Sequence, residues 1–181
     1  MKKIPFVEGS HTKVIKVIAR GLREIGLANN YLELGVKKGQ NFNKIAPFFK
    51  KSYAVDIEKK YFKFIKKNNN FHRFCGTTYK FLSEYNGDFF DMVFIDACHT
   101  YESSLLDFKT VFPKVSNNGF ILMHDTYPPS PKYINKKFCG DCYRTAEWIK
   151  KNMLKEVEIV TIPFYFGISI IRKTKKQLNY K

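Results

Sequence analysis

Apolar residues in the N-terminal part of the chain recur at the spacing of an amphipathic helix. Four of them share one face of the segment 11–26: Ile15, Ile18, Leu22 and Ile25. Residues three and four positions apart lie on the same side of an α-helix, so this stripe predicts a helix packed against a core. Ser10 is suited to cap its first turn and Gly26 to end it.

Beyond this helix, short apolar runs alternate with segments that are apolar on one helical face only. The runs predict seven strands, at residues 31–35, 53–57, 71–75, 92–96, 120–125, 157–163 and 166–172. The intervening segments predict helices at 40–50, 58–67, 77–85, 102–112 and 141–152. In the helix at 58–67, Phe62 and Ile65 are expected to point inward.

Strands that are apolar along their whole length are typical of parallel sheets buried on both faces. Their alternation with helices is typical of doubly wound folds. The last two strands are joined by a connection too short for a crossover, which requires an antiparallel pair. The sequence therefore predicts an α/β fold: a doubly wound, mostly parallel seven-stranded sheet, Rossmann-like, with an antiparallel last strand and helices on both faces.

Chain length and composition fit one domain over residues 1–181. The chain is 44% hydrophobic and 17% aromatic, which is enough for one sizeable core. No apolar run approaches the ~18 residues of a membrane span, and the start MKKIPFVEGS lacks the apolar segment of a signal peptide. We therefore expect a cytoplasmic protein without a membrane partner, and the sequence leaves its oligomeric state open.

The formal net charge of +16 bears on possible partners. Such a basic balance is typical of proteins that bind nucleic acids, acidic substrates or anionic surfaces. The lysines, however, occur as short pairs over the whole length, such as Lys37-Lys38, Lys66-Lys67 and Lys150-Lys151. A general compositional bias explains this spread equally well. Nucleic acid is therefore an alternative partner that the sequence does not favour.

The four cysteines, Cys75, Cys98, Cys139 and Cys142, are too few for a secreted disulfide scaffold. Cys139 and Cys142 form C-G-D-C, a spacing that occurs in zinc and redox sites. A zinc site needs four ligands, and the sequence has no second Cys/His pair at finger or ribbon spacing. A redox motif is expected after an early strand, whereas this one precedes a late helix. We therefore expect plain thiols.

The residues after each predicted strand are the first candidates for a site, because doubly wound sheets bind ligands beyond the carboxyl ends of their strands. The first strand leads into E-L-G-V-K-K-G-Q-N, which contains Glu33, Gly35, Gly39 and Asn41. Its glycines let the backbone turn and approach a ligand, and the next helix opens with free N–H groups. The motif differs from the G-x-G-x-x-G of dinucleotide sites. A loop that needs glycine only to turn is the simpler alternative.

The second and third strands end in residues suited to a nucleoside. Asp56 ends the second strand, where an acid is well placed to accept both hydroxyls of a ribose. Gly76 and Thr77 follow the third strand, where glycine permits close approach and Thr77 is able to bond a base edge. Helix capping explains Asp56 and Thr77 equally well when each is taken alone.

Four motifs in this order resemble those of class I S-adenosylmethionine-dependent methyltransferases: E-L-G-V-K-K-G, A-V-D-I-E, F-I-D-A-C-H-T-Y-E and N-G-F-I-L-M-H-D-T. The likeness is greatest to the subgroup with D-x-x-H-x-Y-E after the fourth strand and H-D-T after the fifth, which includes macrocin-type O-methyltransferases. It extends over residues 8–172. The resemblance implies S-adenosylmethionine as cofactor and a small-molecule hydroxyl as acceptor. It implies cofactor binding by Glu33, Gly35, Gly39, Asn41, Asp56, Gly76, Thr77 and Asp96.

The resemblance also implies catalytic roles for Asp96 and His99 at the tip of the fourth strand. Asp96 and Asp125 would hold a divalent metal such as Mg²⁺, for which carboxylate oxygens are suitable ligands. His99 would take the proton of the acceptor hydroxyl, a reaction suited to a neutral imidazole. Two alternatives stay open: catalysis by positioning without a metal, and a purely structural tip. In the structural alternative, Asp96 caps the next helix and His99 bonds a backbone carbonyl.

The loop 127–143 lies where an acceptor lid is expected, after the fifth strand. It contains Tyr127, Pro128, Pro129, Pro131 and Tyr133. Loops often carry specificity, so its tyrosines and lysines are the best candidates for acceptor selection, although they fit an ordinary loop surface as well.

Overall fold

The computed structural model describes residues 10–174, without the side chain of Ser10. Seven strands occur in this part of the chain: β1 (Asn30–Leu34), β2 (Lys51–Asp56), β3 (Phe71–Cys75), β4 (Phe90–Ile95), β5 (Val115–His124), β6 (Val157–Ile162) and β7 (Ile168–Lys173). They form one sheet in the order β3-β2-β1-β4-β5-β7-β6. Strands β1 to β5 pair in parallel, and β7 runs antiparallel to both of its neighbours. The predicted fold class is confirmed.

Five α-helices accompany the sheet within the described residues: α1 (Ser10–Glu24), α2 (Phe42–Ile45), α3 (Thr78–Glu84), α4 (Tyr101–Val111) and α5 (Tyr143–Asn152). None of the described helices is long and apolar enough to cross a membrane. Helix α1 ends at Glu24, and Gly26 follows with φ of +77°. Ile25 therefore lies beyond the helix and is 68% exposed, so its predicted place on the core face is wrong.

Two predicted helices are much shorter than the sequence suggests. The segment 40–50 forms α2 and then a 3-10 turn, Ala46–Phe48, which contains Pro47. Proline has no backbone N–H, so it cannot continue the hydrogen bonds of an α-helix. The segment 58–67 forms only a 3-10 helix, Lys59–Phe64, none of whose residues is fully buried. Phe62 packs partly against the core and Ile65, just past the 3-10 helix, is buried, as expected. Two inward side chains give a short segment too little packing energy to hold an α-helix.

Hydrophobic clusters on both faces of the sheet form the core. One cluster packs α1 and α2 against the side chains of Tyr31 and Phe94, and the other packs α3, α4 and α5 against those of Leu32 and Val93. All five residues of β1 are buried. A central strand covered on both faces explains why its apolar run shows no alternation.

The order of the strands reverses at β1, which pairs with β2 on one side and β4 on the other. A crevice for ligands is expected at the carboxyl ends of such a pair. Gly35 lies there with φ of +86°, and a Cβ atom at this position would be 2.4 Å from the carbonyl oxygen of Asp96. Only glycine therefore lets the loop after β1 pass this close to the end of β4.

Candidate active site

A cleft of ≈ 740 Å³ lies at the carboxyl ends of β1, β4 and β5. Its volume is in the range of small-molecule pockets, about 300–1,000 Å³. Six of the predicted cofactor, catalytic and metal residues line it: Glu33, Gly35, Asn41, Asp96, His99 and Asp125. The structure therefore brings the ends of three strands, distant in sequence, to one cavity.

The floor of the cleft contains a buried hydrogen-bond network around Glu33. Its carboxylate accepts hydrogen bonds from the Tyr31 hydroxyl at 2.6 Å and from the Asn41 side-chain amide at 2.9 Å. Burial raises the pKa of Glu33 to about 8, although these two bonds act in the opposite direction. The network ties the loop before α2 to β1 and so fixes one wall of the cleft.

Two aspartates and two histidines form a cluster at the tips of β4 and β5. The Nε2 atom of His99 is 3.2 Å from Asp125 Oδ2 and 3.7 Å from Asp96 Oδ1. The Nδ1 atom of His124 is 3.3 Å from Asp125 Oδ1 and 3.5 Å from Asp96 Oδ1. Each imidazole thus faces both carboxylates with one ring nitrogen.

The other nitrogen of each ring is held by the main chain. His99 Nδ1 donates to the carbonyl oxygen of Phe138, and His124 Nε2 donates to that of Tyr165 at 3.2 Å. A carbonyl oxygen only accepts, so these contacts place a hydrogen on the far nitrogen of each ring. The backbone bond of His99 is the one that the structural alternative anticipated, but its other nitrogen still faces the aspartates.

The pKa values of three of these groups, Asp96, His99 and His124, are shifted by their neighbours. Burial alone would raise the pKa of Asp96, but the imidazoles of His124 and His99 outweigh it and hold that pKa well below its usual range. The hydrogen bond to Asp96 raises the pKa of His99 above 6.5, against burial. Burial lowers the pKa of His124, but the two aspartates overcome this and raise it to about 10. The paired carboxylates therefore favour positive charge beside them.

Local chain geometry holds the aspartates in the cluster. Asp96 does not cap α4, because Thr100 fills that position by accepting a hydrogen bond from the Ser103 amide at 3.3 Å. Asp125 is 3% exposed and has φ of +59°. A non-glycine residue adopts this conformation at a cost of about 1–3 kcal/mol, so the surrounding structure must impose it.

The loop 127–143 rests on the tip of β4. The Asp141 amide donates to the carbonyl oxygen of His99 at 3.1 Å, and the Asp141 carboxylate accepts from the Tyr101 amide at 2.7 Å. A second cavity of ≈ 500 Å³ lies between this loop and the start of α4, with Tyr101, Asn135 and Arg144 in its lining. His99 lines both cavities.

Four predicted cofactor residues, Gly39, Asp56, Gly76 and Thr77, are not among those that line the cleft. The Asp56 carboxylate accepts from the amides of Lys37 at 2.8 Å and Glu58 at 2.9 Å. Each carboxylate oxygen has a second lone pair, so ribose binding by Asp56 stays a prediction. Thr77 caps α3 by accepting from Lys80, which is the capping alternative.

The sequence pattern did not single out His11. Its ring packs against that of His124, with centroids 4.4 Å apart, and lines the cleft. Burial and the nearby His124 lower the pKa of His11 to about 4. The sequence does contain one sign of this role: His11 lies one helical turn before Ile15, on the core-facing side of α1. The contacts of Tyr165 with both rings depend on the connection between β6 and β7 and had no sequence signal.

Asp96, His124 and Asp125 fit a divalent cation. Each offers one ligand atom, and these atoms lie within 4.8 Å of one another. Carboxylate oxygens and imidazole nitrogen are common ligands of divalent metals. The set contains the predicted pair, Asp96 and Asp125, and adds His124 to it.

Cys139 and Cys142 are buried, free thiols beneath this cluster. Cys142 Sγ donates to the carbonyl oxygen of Asp125 at 3.3 Å. Burial raises the pKa of Cys139 to about 12, assisted by the negative charge of Asp125. Both positions therefore act as packing groups in this structure.

Comparisons with known proteins identify the family of this chain and structures that share its fold. A family model described as a methyltransferase domain matches residues 32–126, more than half of the chain. No curated protein matches significantly. Among solved structures, the fold is similar to a candidate caffeoyl-CoA O-methyltransferase from Staphylococcus aureus, with 16% identity and a TM-score of 0.72 over 94% of this chain and 86% of that one.

Two further structures with related folds contain ligands. The O-methyltransferase TomG from Streptomyces achromogenes, in complex with SAM, has 16% identity and a TM-score of 0.69 over 97% of this chain and 84% of that one. The methyltransferase MycE of the mycinamycin biosynthetic pathway was solved with Mg, SAH and mycinamycin VI. It has 16% identity and a TM-score of 0.65 over 91% of this chain and 50% of that one.

Proposed function

This chain belongs to the methyltransferase-domain family, and we propose that it transfers a methyl group from S-adenosylmethionine to a hydroxyl group of a small molecule. The observation that carries the proposal is the convergence of Asp96, Asp125 and His99 on a cleft at the carboxyl ends of β1, β4 and β5. The SAM and SAH held by proteins of similar fold support the choice of donor.

The donor is proposed to bind beside β1. Glu33, Gly35, Asn41 and Asp96 are assigned to the cleft wall that contacts it, and Gly35 gives the ligand access to the backbone. Asp56 is assigned to the ribose hydroxyls, with Gly76 and Thr77 near the base. Gly39 has φ of +63° and shapes the turn that leads into α2.

His99 is proposed to act as the general base through Nε2, because its Nδ1 hydrogen bonds to Phe138. The acceptor oxygen attacks the methyl carbon of the sulfonium, and the bond from that carbon to sulfur breaks. His99 Nε2 takes the hydroxyl proton, so the products are the methyl ether, S-adenosylhomocysteine and a protonated imidazole. Asp96 orients the acceptor. Removal of the proton at a fixed site contributes about 10²–10⁴-fold to such reactions.

Asp96 and Asp125, with His124, are proposed to hold a divalent cation. When bound, the cation would supply positive charge next to the acceptor oxygen and make its hydroxyl more acidic. The loop 127–143 is proposed to select the acceptor, because it forms one side of the second cavity beside His99.

Calorimetry with S-adenosylmethionine and S-adenosylhomocysteine tests donor binding. Release of S-adenosylhomocysteine in the presence of a panel of phenols and sugars then tests transfer. Loss of activity with a chelator and recovery with an added divalent cation supports the metal. A folded protein that binds neither donor nor product contradicts the proposal.

Methylation of RNA or DNA is the second candidate, and the basic charge favours it. Lys37, Lys38, Lys44 and Lys137 line the cleft, in a chain whose formal net charge is +16. The same lysines suit a small acceptor that carries an acidic group. A transfer assay with labelled oligonucleotides beside the small-molecule panel separates the two.

A further inference from the structure

We infer that His124 is a nitrogen ligand of the cation site formed with Asp96 and Asp125, and that the site therefore prefers a transition-series ion such as Mn²⁺ to Mg²⁺. The inference rests on the proposed function, because it assigns the chemistry of the same site. It concerns a side chain that the sequence motifs did not assign as a ligand.

The orientation of the His124 ring is the first observation. Its Nε2 hydrogen is directed at the carbonyl oxygen of Tyr165, at 3.2 Å. In a neutral ring, the lone pair is then on Nδ1, which lies 3.3 Å from Asp125 Oδ1 and 3.5 Å from Asp96 Oδ1. Three electron-rich atoms face one another stably only when a cation, either a proton or a metal ion, lies among them.

The backbone contact of Nε2 is itself typical of metal sites. Histidines that bind metals nearly always donate their other ring N–H to a carbonyl or carboxylate, which fixes the tautomer and the ring plane. His124 is 8% exposed, and the ring of His11 packs against it with centroids 4.4 Å apart. The ring is therefore held in place before any ion binds.

The types of ligand atom determine which ion is preferred. Mg²⁺ requires oxygen ligands in nearly octahedral geometry and is rarely bound by imidazole. Imidazole suits the transition ions, while carboxylates also accept Mn²⁺. Two carboxylates and one imidazole therefore favour Mn²⁺ over Mg²⁺.

His99 is the internal comparison for this assignment. Its Nε2 also faces both aspartates, at 3.2 and 3.7 Å, but it is not part of the set whose ligand atoms all lie within 4.8 Å. It borders the second cavity, where an acceptor has access to it. We therefore assign the cation contact to His124 and leave His99 to the acceptor.

The test uses the metal-stripped full chain and Mn²⁺ as the paramagnetic ion. The protein is titrated with Mn²⁺, and the concentration of free Mn²⁺ is measured by electron paramagnetic resonance. Mg²⁺ is then added as a competitor. We expect Mn²⁺ to bind at least about tenfold more tightly than Mg²⁺, because nitrogen ligands favour transition ions. Spin-echo spectra of bound Mn²⁺ should show modulation from a directly bound ¹⁴N nucleus.

Two variants identify the nitrogen. His124→Asp should lose the ¹⁴N modulation and reduce the ratio of Mn²⁺ to Mg²⁺ affinity by about tenfold, whereas His99→Gln should keep the modulation. Loss of the modulation in His99→Gln, or equal Mn²⁺ and Mg²⁺ affinities in the parent, overturns the inference even if His124→Asp fails to fold.

Calorimetry with S-adenosylhomocysteine is run on the same samples. A parent that binds the nucleoside without Mn²⁺ preference contradicts only this inference, and one that binds Mn²⁺ through nitrogen but no nucleoside contradicts only the proposed function.

Discussion

The edge of the sheet where the parallel strands end divides into two halves, which differ in what their polar side chains contact. In the proposed donor half, at the ends of β1 to β3, polar side chains hold neighbouring parts of the protein in place: Asp56 accepts from the amides of Lys37 and Glu58, and Glu33 accepts from the side chains of Tyr31 and Asn41. In the reaction half, at the ends of β4 and β5, two aspartates and two histidines mainly face one another.

One half therefore depends mainly on backbone geometry, and the other mainly on charge. The donor half is defined by backbone turns such as Gly35, so substitutions there are expected to change stability or nucleoside affinity. The reaction half is defined by opposed titratable groups, so substitutions there are expected to change the rate and its pH dependence. The following predictions test this contrast, from the largest expected effect to the smallest.

The largest effect is expected in the reaction half, for His99→Ala. Turnover should fall by about 10²–10⁴-fold, because the substitution removes the proposed general base. Affinity for S-adenosylhomocysteine, measured by calorimetry, should change little. His72→Ala is the matched control, since His72 is exposed on β3 and lines neither cavity. A His99→Ala protein that turns over the acceptor at the parental rate shows that His99 is not the base.

In the donor half, Gly35→Ala should destabilise the fold by about 2–5 kcal/mol, from backbone strain at positive φ and from overpacking. The new Cβ would lie 2.4 Å from the carbonyl oxygen of Asp96. Urea unfolding measures the loss. Gly21→Ala in α1 is the control with the opposite sign, because no atom lies within 4 Å of its added Cβ. It should stabilise the chain by about 0.5–1 kcal/mol, and equal effects of the two substitutions would argue against a tight crossing at Gly35.

Asp56→Ala should weaken donor binding by about 1.5–3 kcal/mol, the range for hydrogen bonds to a charged group. Calorimetry with S-adenosylmethionine measures the change. Asp91→Ala is a matched control, because Asp91 also accepts from two backbone amides, those of Asn29 and Asn30, but at the amino end of β1. Unchanged donor affinity in folded Asp56→Ala, or equal losses in both variants, would remove the ribose assignment.

The pH dependence of the rate is a smaller effect that belongs to the reaction half. The hydrogen bond to Asp96 raises the pKa of His99 above 6.5, and only the neutral ring accepts a proton. The rate should therefore rise with pH, by about tenfold per unit on the acidic side, and level off only above pH 6.5. Rates of the parent and of His99→Ala across this range test the assignment. A flat parental profile, or the same rise in both proteins, contradicts it.

The smallest effect is expected for nucleic acid. If the positive charge is diffuse, labelled RNA and DNA should bind weakly, without sequence preference, and dissociate as salt increases. Fluorescence polarisation at low and physiological salt measures this. Nanomolar, structure-selective binding at physiological salt would instead favour the second candidate function.

The strand pattern was predictable because a sheet buried on both faces needs continuous apolar runs. Strands β1 and β4 are largely apolar, with Asn30, Glu33 and Asp91 as their polar members, and both begin within one or two residues of their predicted starts. In the segment 58–67 the inward side of Phe62 and Ile65 was predictable, but the helix type was not, because so few inward residues do not stabilise an α-helix. Ile25 is exposed for a related reason, since its periodic position lies past the end of α1.

The sequence by itself determined the order of the motifs, and with it the family and the presence of Asp96, His99 and Asp125 at strand ends. Only the tertiary structure decided the surroundings that set their chemistry. His11 reaches the cluster from α1, and His124 is oriented by a carbonyl from the connection between β6 and β7. These contacts join residues far apart in the chain, and pKa values depend on distance and burial, which a linear pattern does not contain.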